Sequence, residues 1–142
     1  MEIVLKEVHV GPCRAVVTLQ MGSDAAADEF LAALTASNPH AARSLQTSMA
    51  TITSVESYHN DRKFKRVAEG IYEIKVPGIR LYCFKDHLEG LPAKLIVATN
   101  GGTKNTKREQ DSDIRRALRI RERYFQVKPL EDTRLRYLKL PT

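Results

Sequence analysis

The stretch Glu69–Lys85, EGIYEIKVPGIRLYCFK, decides the fold of this chain. Two β-rich runs, 71–76 and 79–84, flank Pro77-Gly78, and this spacing predicts a β-hairpin. A loop of only those two residues fixes which residues lie opposite each other on one face. The predicted pairs are Val76 with Ile79, Lys75 with Arg80, Ile74 with Leu81 and Glu73 with Tyr82. One face of the hairpin is then almost wholly apolar and should be the core face: Tyr72, Ile74, Val76, Ile79, Leu81 and Cys83.

The opposite face of the hairpin is polar and carries Glu73, Lys75, Arg80 and Tyr82. It sets two cations side by side, which costs stability unless something negative lies between them. This cost indicates an anion site. Alternatively, Lys75 and Arg80 are ordinary solvent-facing charges with Glu73 as their counter-ion. A four-residue loop is a rival to the tight turn, because Pro-Gly favours type II turns, but it leaves both faces unchanged.

Length and cysteine usage bound the class of protein. The chain has 142 residues, enough for one domain with its own core. Cys13 and Cys83 suggest no disulfide framework, so we expect a reducing compartment. No apolar run approaches membrane-spanning length, and the N-terminus lacks a signal-peptide pattern. We therefore expect a cytoplasmic protein that needs no membrane.

The net charge of +6 is unevenly distributed. Residues 1–100 contain 11 Lys or Arg and 11 Asp or Glu, whereas residues 101–142 contain 12 and 6. The last third therefore supplies the whole positive excess. This asymmetry points to a polyanion, nucleic acid before membrane, or to an acidic protein partner. A basic tail that only aids solubility is the alternative.

The remaining pattern predicts an N-terminal β-hairpin, two helices, a further strand and a last helix. The strands are expected over 2–10, 13–21 and 94–99, and the helices from Ser23 or Asp24 to about Ser37, from Asn38-Pro39 to about His59, and from Asp111 or Ser112 to about Gln126. Ser and Thr residues of the second helix are interpreted as a solvent face. Residues 1–126 are expected to form one domain. Residues 127–142 form a tail that either stays mobile or docks through Leu135, Tyr137, Leu138 and Leu140.

Two further segments concentrate positive charge. Arg62, Lys63, Lys65 and Arg66 surround Phe64 in a segment that is either a solvated connector or an extension of a phosphate-binding surface. Residues 100–108, NGGTKNTKR, are expected to be mostly irregular, with glycines that let a ligand approach the backbone. Three cations follow those glycines: Lys104, Lys107 and Arg108. The spacing of a nucleotide-binding P-loop is absent.

The ordered combination of these segments resembles the RelE/ParE superfamily of toxin–antitoxin toxins, in particular its phage-related HigB-like branch. The resemblance covers roughly residues 64–125: EGIYEIKV, then GIRLY, an apolar strand, the GGTKNTKRE loop, and a helix with Ala117 in its first turns. It implies an α+β fold in which a small curved antiparallel sheet carries a two-helix hairpin on one side, with a concave basic face and a further C-terminal helix.

The resemblance also implies a function. RelE-like members cleave messenger RNA, usually on the ribosome, without a metal or other cofactor. A ribose 2′-hydroxyl attacks the adjacent phosphate and leaves a 2′,3′-cyclic phosphate and a 5′-hydroxyl, a reaction that requires a base, charge stabilisation and an acid. By position, Lys75 matches a lysine that serves as base or charge stabiliser, and Arg80 matches an arginine that holds the scissile phosphate. Lys104, Lys107 and Arg108 match further phosphate-binding cations, and a cognate antitoxin protein is the expected partner.

Two positions depart from the family pattern. Glu73 stands where some members have a second lysine, so the site is less cationic or uses Glu73 as a carboxylate base. Ile114 stands where some members carry a catalytic tyrosine, which leaves the acid unassigned. Other branches place a C-terminal His or Tyr at the site, and here the last helix offers Tyr124 and the tail offers Tyr137. A non-catalytic protein that binds RNA or a protein through its basic face is the alternative. A ParE-like inhibitor of gyrase is a weaker one.

Overall fold

The computed structural model describes residues 1–56, 62–91, 94–103 and 106–141. Within these ranges the chain is α+β, with seven strands and three helices. The elements are β1 (Glu2–Val10), β2 (Arg14–Met21), α1 (Ala26–Ser37), α2 (Pro39–Ser54), β3 (Phe64–Ala68), β4 (Ile71–Val76), β5 (Ile79–Asp86), β6 (Lys94–Thr103), α3 (Lys107–Val127) and β7 (Arg134–Leu138). All seven strands belong to one sheet, in the order β3-β4-β5-β6-β2-β1-β7.

The predicted small antiparallel sheet of the RelE-like fold is wrong. The sheet has seven strands and is mixed, because β2 runs parallel to β6 and β7 runs parallel to β1. The N-terminal hairpin causes the difference: β2 extends the sheet beyond β6, and β1 then offers its outer edge to β7. The resemblance covered roughly residues 64–125 only and carried no information about these three strands.

Helices cover both faces of the sheet. On one face, α1 and α2 pack over a core that includes Leu45, Met49 and Leu81. On the other face, α3 packs through Ala117 and Tyr124, both fully buried. The resemblance implied a concave basic face, but α3 packs against β5 and β6 on this side of the sheet, where Arg80 and Tyr82 are buried.

The helix boundaries show which capping predictions hold. The Asn38 side chain accepts a hydrogen bond from the Ala41 backbone N–H at 3.1 Å, with Pro39 at the first helical position, which confirms the predicted start of α2. The predicted start of α3 at Asp111 or Ser112 is wrong. The Thr106 side chain caps α3 by accepting from the Glu109 backbone N–H at 3.1 Å, so the helix begins about one turn earlier.

The two glycines of residues 100–108 lie within β6, so the predicted irregular loop is wrong over residues 100–103. A Cβ on Gly101 would overlap the ring of Phe30 from α1, and a Cβ on Gly102 would overlap the carboxylate of Asp113 from α3. The glycines therefore allow close packing of a helix on each face of the strand, where the sequence had suggested close approach of a ligand.

The C-terminal tail adds the edge strand β7, which pairs with β1 through residues Arg134–Leu138. Leu135 and Tyr137 pack against the core on the α3 face. The Tyr137 hydroxyl donates to Glu7 Oε2 at 2.7 Å, and burial together with this hydrogen bond raises the pKa of the phenol. In the described part of the chain, no helix combines the length and the apolar character that a bilayer span requires.

Candidate functional site

The central hairpin has the predicted tight register. Lys75 pairs with Arg80 and Glu73 pairs with Tyr82 across β4 and β5, and the predicted apolar residues lie in the core under α1 and α2. Gly78, at φ +75°, takes the left-handed conformation that the second residue of the Pro77-Gly78 turn requires. The register prediction is confirmed, and it places the polar residues on the α3 side of the sheet.

That polar face is largely buried. Glu73 is 7% exposed, Arg80 is 9% exposed and Tyr82 is fully buried, whereas Lys75 is half-buried. The alternative in which Lys75 and Arg80 are both ordinary solvent-facing charges is therefore wrong for Arg80. The sequence could not show this, because α3 begins earlier than expected and its first turns lie near Tyr82, where Asp111 and Asp113 act on the phenol.

Arg80 is held at the hairpin by backbone carbonyls and by one carboxylate. Its Nη1 donates to the carbonyls of Val76 at 3.0 Å and Ile79 at 2.9 Å, and its Nε lies 3.6 Å from Glu73 Oε2. Within the described residues, Nε is buried without a hydrogen-bond partner. The guanidinium is thus fixed in place and partly neutralised by a carboxylate that is itself nearly fully buried.

Tyr82 lies beside this pair as a neutral phenol. Burial, with the negative charges of Glu73 and Asp113, raises its pKa to about 12. Its hydroxyl is buried and has no hydrogen-bond partner within the described residues. Burial also raises the pKa of the Asp113 carboxyl, which lies over Gly102, the residue that pairs with Arg80 on β6. Tyr82 and Asp113, two groups with raised pKa values, therefore lie on the same face of the sheet as Arg80.

A groove of about 550 Å³ opens beside the hairpin turn, and we call it the basic groove. Its lining combines four cations with three hydroxyl groups: Arg62, Lys63, Lys75, Arg80, Ser44, Thr47 and Ser48, with Val76 and Pro77 completing it. A backbone hydrogen bond from Lys75 N to Lys63 O, at 2.8 Å, brings the start of β3 to this point. Cations and hydroxyls together are the groups that bind phosphate oxygens.

The structure brings some predicted site residues together and separates others. Lys75, Arg80, Arg62 and Lys63 share the basic groove, and Glu73 reaches it only through Arg80. Lys65 and Arg66 are exposed on β3 outside the groove lining. Lys107 and Arg108 are exposed in the first turn of α3, and Lys104 lies outside the described residues.

Sequence reasoning missed the contribution of α2. Ser44, Thr47 and Ser48 were interpreted as part of a solvent face, but they line the basic groove, and Ser48 is only 3% exposed. Their spacing of three and four residues places them on one side of the helix. That stripe of short hydroxyl side chains was the available signal, and it needed the position of α2 against β4 to acquire meaning.

The Tyr124 hydroxyl, considered as a possible acid, is engaged elsewhere. It donates to Asp86 Oδ2 at 2.5 Å, and burial and this bond raise its pKa. No group of His, Cys, Asp or Glu in the described ranges could hold a metal ion. Comparison of the chain with protein-family models, with curated proteins and with solved structures found no match.

Proposed function

We propose that this protein binds RNA through the basic groove and is a metal-independent endoribonuclease of the RelE/ParE toxin class, acting on messenger RNA. The observation that carries the proposal is the convergence of Lys75 and Arg80, from paired strands, with Arg62 and Lys63 around one groove. Among the described residues, its lining holds four cations and no carboxylate, so it attracts the phosphate backbone of a nucleic acid.

The groove supplies parts of the expected chemistry. In the proposed reaction a ribose 2′-oxygen forms a bond to the adjacent phosphorus, the bond to the 5′-oxygen breaks, and that oxygen takes up a proton. In this proposal Lys75, which is half-buried and lines the groove, accepts the 2′-hydroxyl proton or stabilises the phosphorane charge. Arg80 holds the phosphate.

The geometry changes the role of Glu73 in this proposal. The carboxylate is nearly fully buried and lies 3.6 Å from Arg80 Nε. Glu73 therefore acts as a positioning residue that orients Arg80, and it is not the base that the sequence allowed. Messenger RNA on the ribosome and a cognate antitoxin are the partners that this function requires, and the unpaired Cys13 and Cys83 suit a cytoplasmic location.

The test is cleavage of RNA in the presence of EDTA, with and without translating ribosomes. We expect products that end in a 2′,3′-cyclic phosphate, and Lys75→Ala should slow their formation by about 10²-fold or more, the usual contribution of a proton-transfer group. Lys94→Ala, an exposed cation at the start of β6 outside the groove, is the matched control and should cleave normally. Cleavage that survives Lys75→Ala unchanged contradicts the proposed site.

The burial of Arg80 favours a second candidate, in which the protein binds RNA without cleaving it. A guanidinium whose Nη1 already donates to two carbonyls, and whose Nε faces Glu73, has few donors left for a phosphate. The same assay separates the candidates. Salt-sensitive binding of RNA that stays intact on ribosomes supports the binding protein, whereas a cyclic-phosphate end excludes it.

A further inference from the structure

A second cavity, of about 260 Å³, lies between α3, the end of β2 and the start of α1. We call it the arginine cavity, and none of the described residues lines both it and the basic groove. Its lining consists of Leu19, Met21, Asp24, Ala26, Thr99, Arg116, Arg119, Ile120 and Arg123. A ligand here therefore occupies a site separate from the basic groove.

Positive charge dominates the arginine cavity. Arg116, Arg119 and Arg123 follow one another at spacings of three and four residues, so they project on one side of α3 and repel each other. Arg123 Nη1 pairs with Asp24 Oδ2 at 3.0 Å, while Arg116 and Arg119 form no ion pair among the described residues. Asp24 is the one carboxylate among the lining residues that the structure describes, so their net charge is +2.

The start of α1 adds to this field. Its N-cap residue is Ala25, which has no side-chain oxygen to bond the first backbone N–H groups, and no side-chain cap is present. The next residue, Ala26, lines the cavity. The first amide groups of a helix lack intrahelical acceptors and lie at the positive end of its dipole, so they favour an anion beside them.

The floor of the cavity is apolar. Leu19 and Met21 are each 3% exposed and belong to the core beneath α3, and Ile120 completes this floor. Thr99, the polar group at the base, already has hydrogen-bond partners inside the protein. Its hydroxyl oxygen lies 3.2 Å from the Tyr82 carbonyl oxygen and 2.7 Å from Asn100 Oδ1, and it donates to one of them. A ligand that fits both parts therefore needs an anionic head for the arginines and an apolar or planar body for the floor.

We propose that the arginine cavity binds a phosphate monoester that carries a planar or apolar group, as a nucleotide 5′-monophosphate does. A doubly ionised phosphate monoester matches the lining charge of +2, and guanidinium groups bind phosphate oxygens bidentately. The volume of about 260 Å³ excludes a ligand much larger than one nucleotide unit. The monoester comes from either of two sources, a free nucleotide or the phosphorylated 5′ end of an RNA strand.

The test is calorimetric titration of the full chain with adenosine 5′-monophosphate. We expect one site per chain, and Arg116→Gln/Arg119→Gln should weaken binding by about 10-fold or more, because charge-assisted hydrogen bonds to the phosphate are lost. The control Arg115→Gln/Arg134→Gln removes the same charge from exposed positions outside the cavity and should keep the affinity within about 2-fold. Adenosine, which lacks the phosphate, should bind far more weakly.

Further measurements fix the source of the ligand and keep this proposal separate from the proposed function. A preference for 5′-phosphorylated over 5′-hydroxyl RNA, lost in the Arg116→Gln/Arg119→Gln variant, assigns the site to a strand end, whereas mononucleotide binding without that preference assigns it to a free nucleotide. Lys75→Ala should leave mononucleotide binding unchanged. Absence of binding at millimolar concentration, or equal loss in both double variants, overturns the proposal, as does binding of a glutamate-rich peptide in place of the nucleotide.

Discussion

At the scale of single residues, the central feature is a buried polar group of three side chains. Arg80, Glu73 and Tyr82 share the face of the hairpin that α3 covers, and the Tyr82 hydroxyl and Arg80 Nε lack hydrogen-bond partners within the described residues. Buried polar atoms without partners cost stability, so natural proteins keep few of them. Their presence next to Lys75 and the basic groove is consistent with a site that function, and not stability, has shaped.

Tyr82→Phe tests this environment. Because the folded pKa of Tyr82 is raised from 10.0 to about 12, the folded protein keeps the phenol proton while the unfolded chain loses it. Stability from this group is fully present below pH 10.0 and is lost as the pH rises to about 12. Over this pH range, the free energy of unfolding measured with denaturant should fall in both proteins. The fall should be smaller in Tyr82→Phe than in the natural chain by on the order of 1 kcal/mol. Equal pH slopes for both proteins would contradict the assignment.

At the scale of secondary-structure elements, the sequence was sufficient where the determinants are local. The hairpin register follows from alternation and a two-residue turn, and the start of α2 follows from Asn38-Pro39. The end of β6 and the start of α3 were misjudged, because Gly101 and Gly102 resemble a loop. Their purpose is visible only after Phe30 and Asp113 are known to pack against them. The burial of Arg80 was missed because it depends on the packing of α3 against this face, which the local sequence does not show.

Thr106→Ala tests the observed start of α3. Loss of the hydroxyl leaves the Glu109 backbone N–H without its cap and should lower the free energy of unfolding by about 1 kcal/mol. Ser112→Ala is the matched control, because Ser112 lies inside the exposed part of the helix, where alanine is slightly favourable. Chemical denaturation should separate the two variants, and the reverse order of stabilities would restore the start predicted from the sequence.

At the scale of the whole molecule, strands near the two ends of the chain, β1 and β7, pair at one edge of the sheet. β7 pairs with β1, and β1 pairs with β2, so residues near both termini complete a sheet whose centre is the β4–β5–β6 segment. Contacts of this kind join residues more than 130 positions apart, as in the hydrogen bond from Arg136 to Glu2. Local pattern could not specify them, and the resemblance stopped before them.

Truncation after Leu130 tests how firmly the tail is docked. It removes β7, exposes the outer edge of β1 and uncovers core surface under Leu135 and Tyr137. We expect loss of about 2 kcal/mol or more of stability, from the apolar area of those two side chains alone. Truncation after Leu140 keeps β7 and is the control. This shorter chain should have the same melting temperature as the natural chain. A melting temperature that both truncations leave unchanged would contradict a docked tail.

The charge distribution of the whole molecule sets two surfaces apart, the basic groove beside α2 and the arginine cavity beneath α3. Exposed cations elsewhere, such as Lys65 and Arg66 on β3, add to the general attraction for polyanions without lining either site. The proposed binding of RNA by the groove can therefore be distinguished from a general effect of net charge. This requires variants that remove equal charge inside and outside the groove.

The most direct test of the account is the salt dependence of RNA binding, measured by fluorescence anisotropy with a single-stranded RNA. Lys63→Gln/Lys75→Gln removes two groove cations, and Lys94→Gln/Lys139→Gln removes two exposed cations outside it. We expect the groove variant to bind RNA about 10-fold or more weakly and the slope of log affinity against log salt concentration to fall by about 1.4, while the control keeps the natural slope. Equal slopes and affinities for the two double variants would contradict the claim that the basic groove holds the RNA backbone.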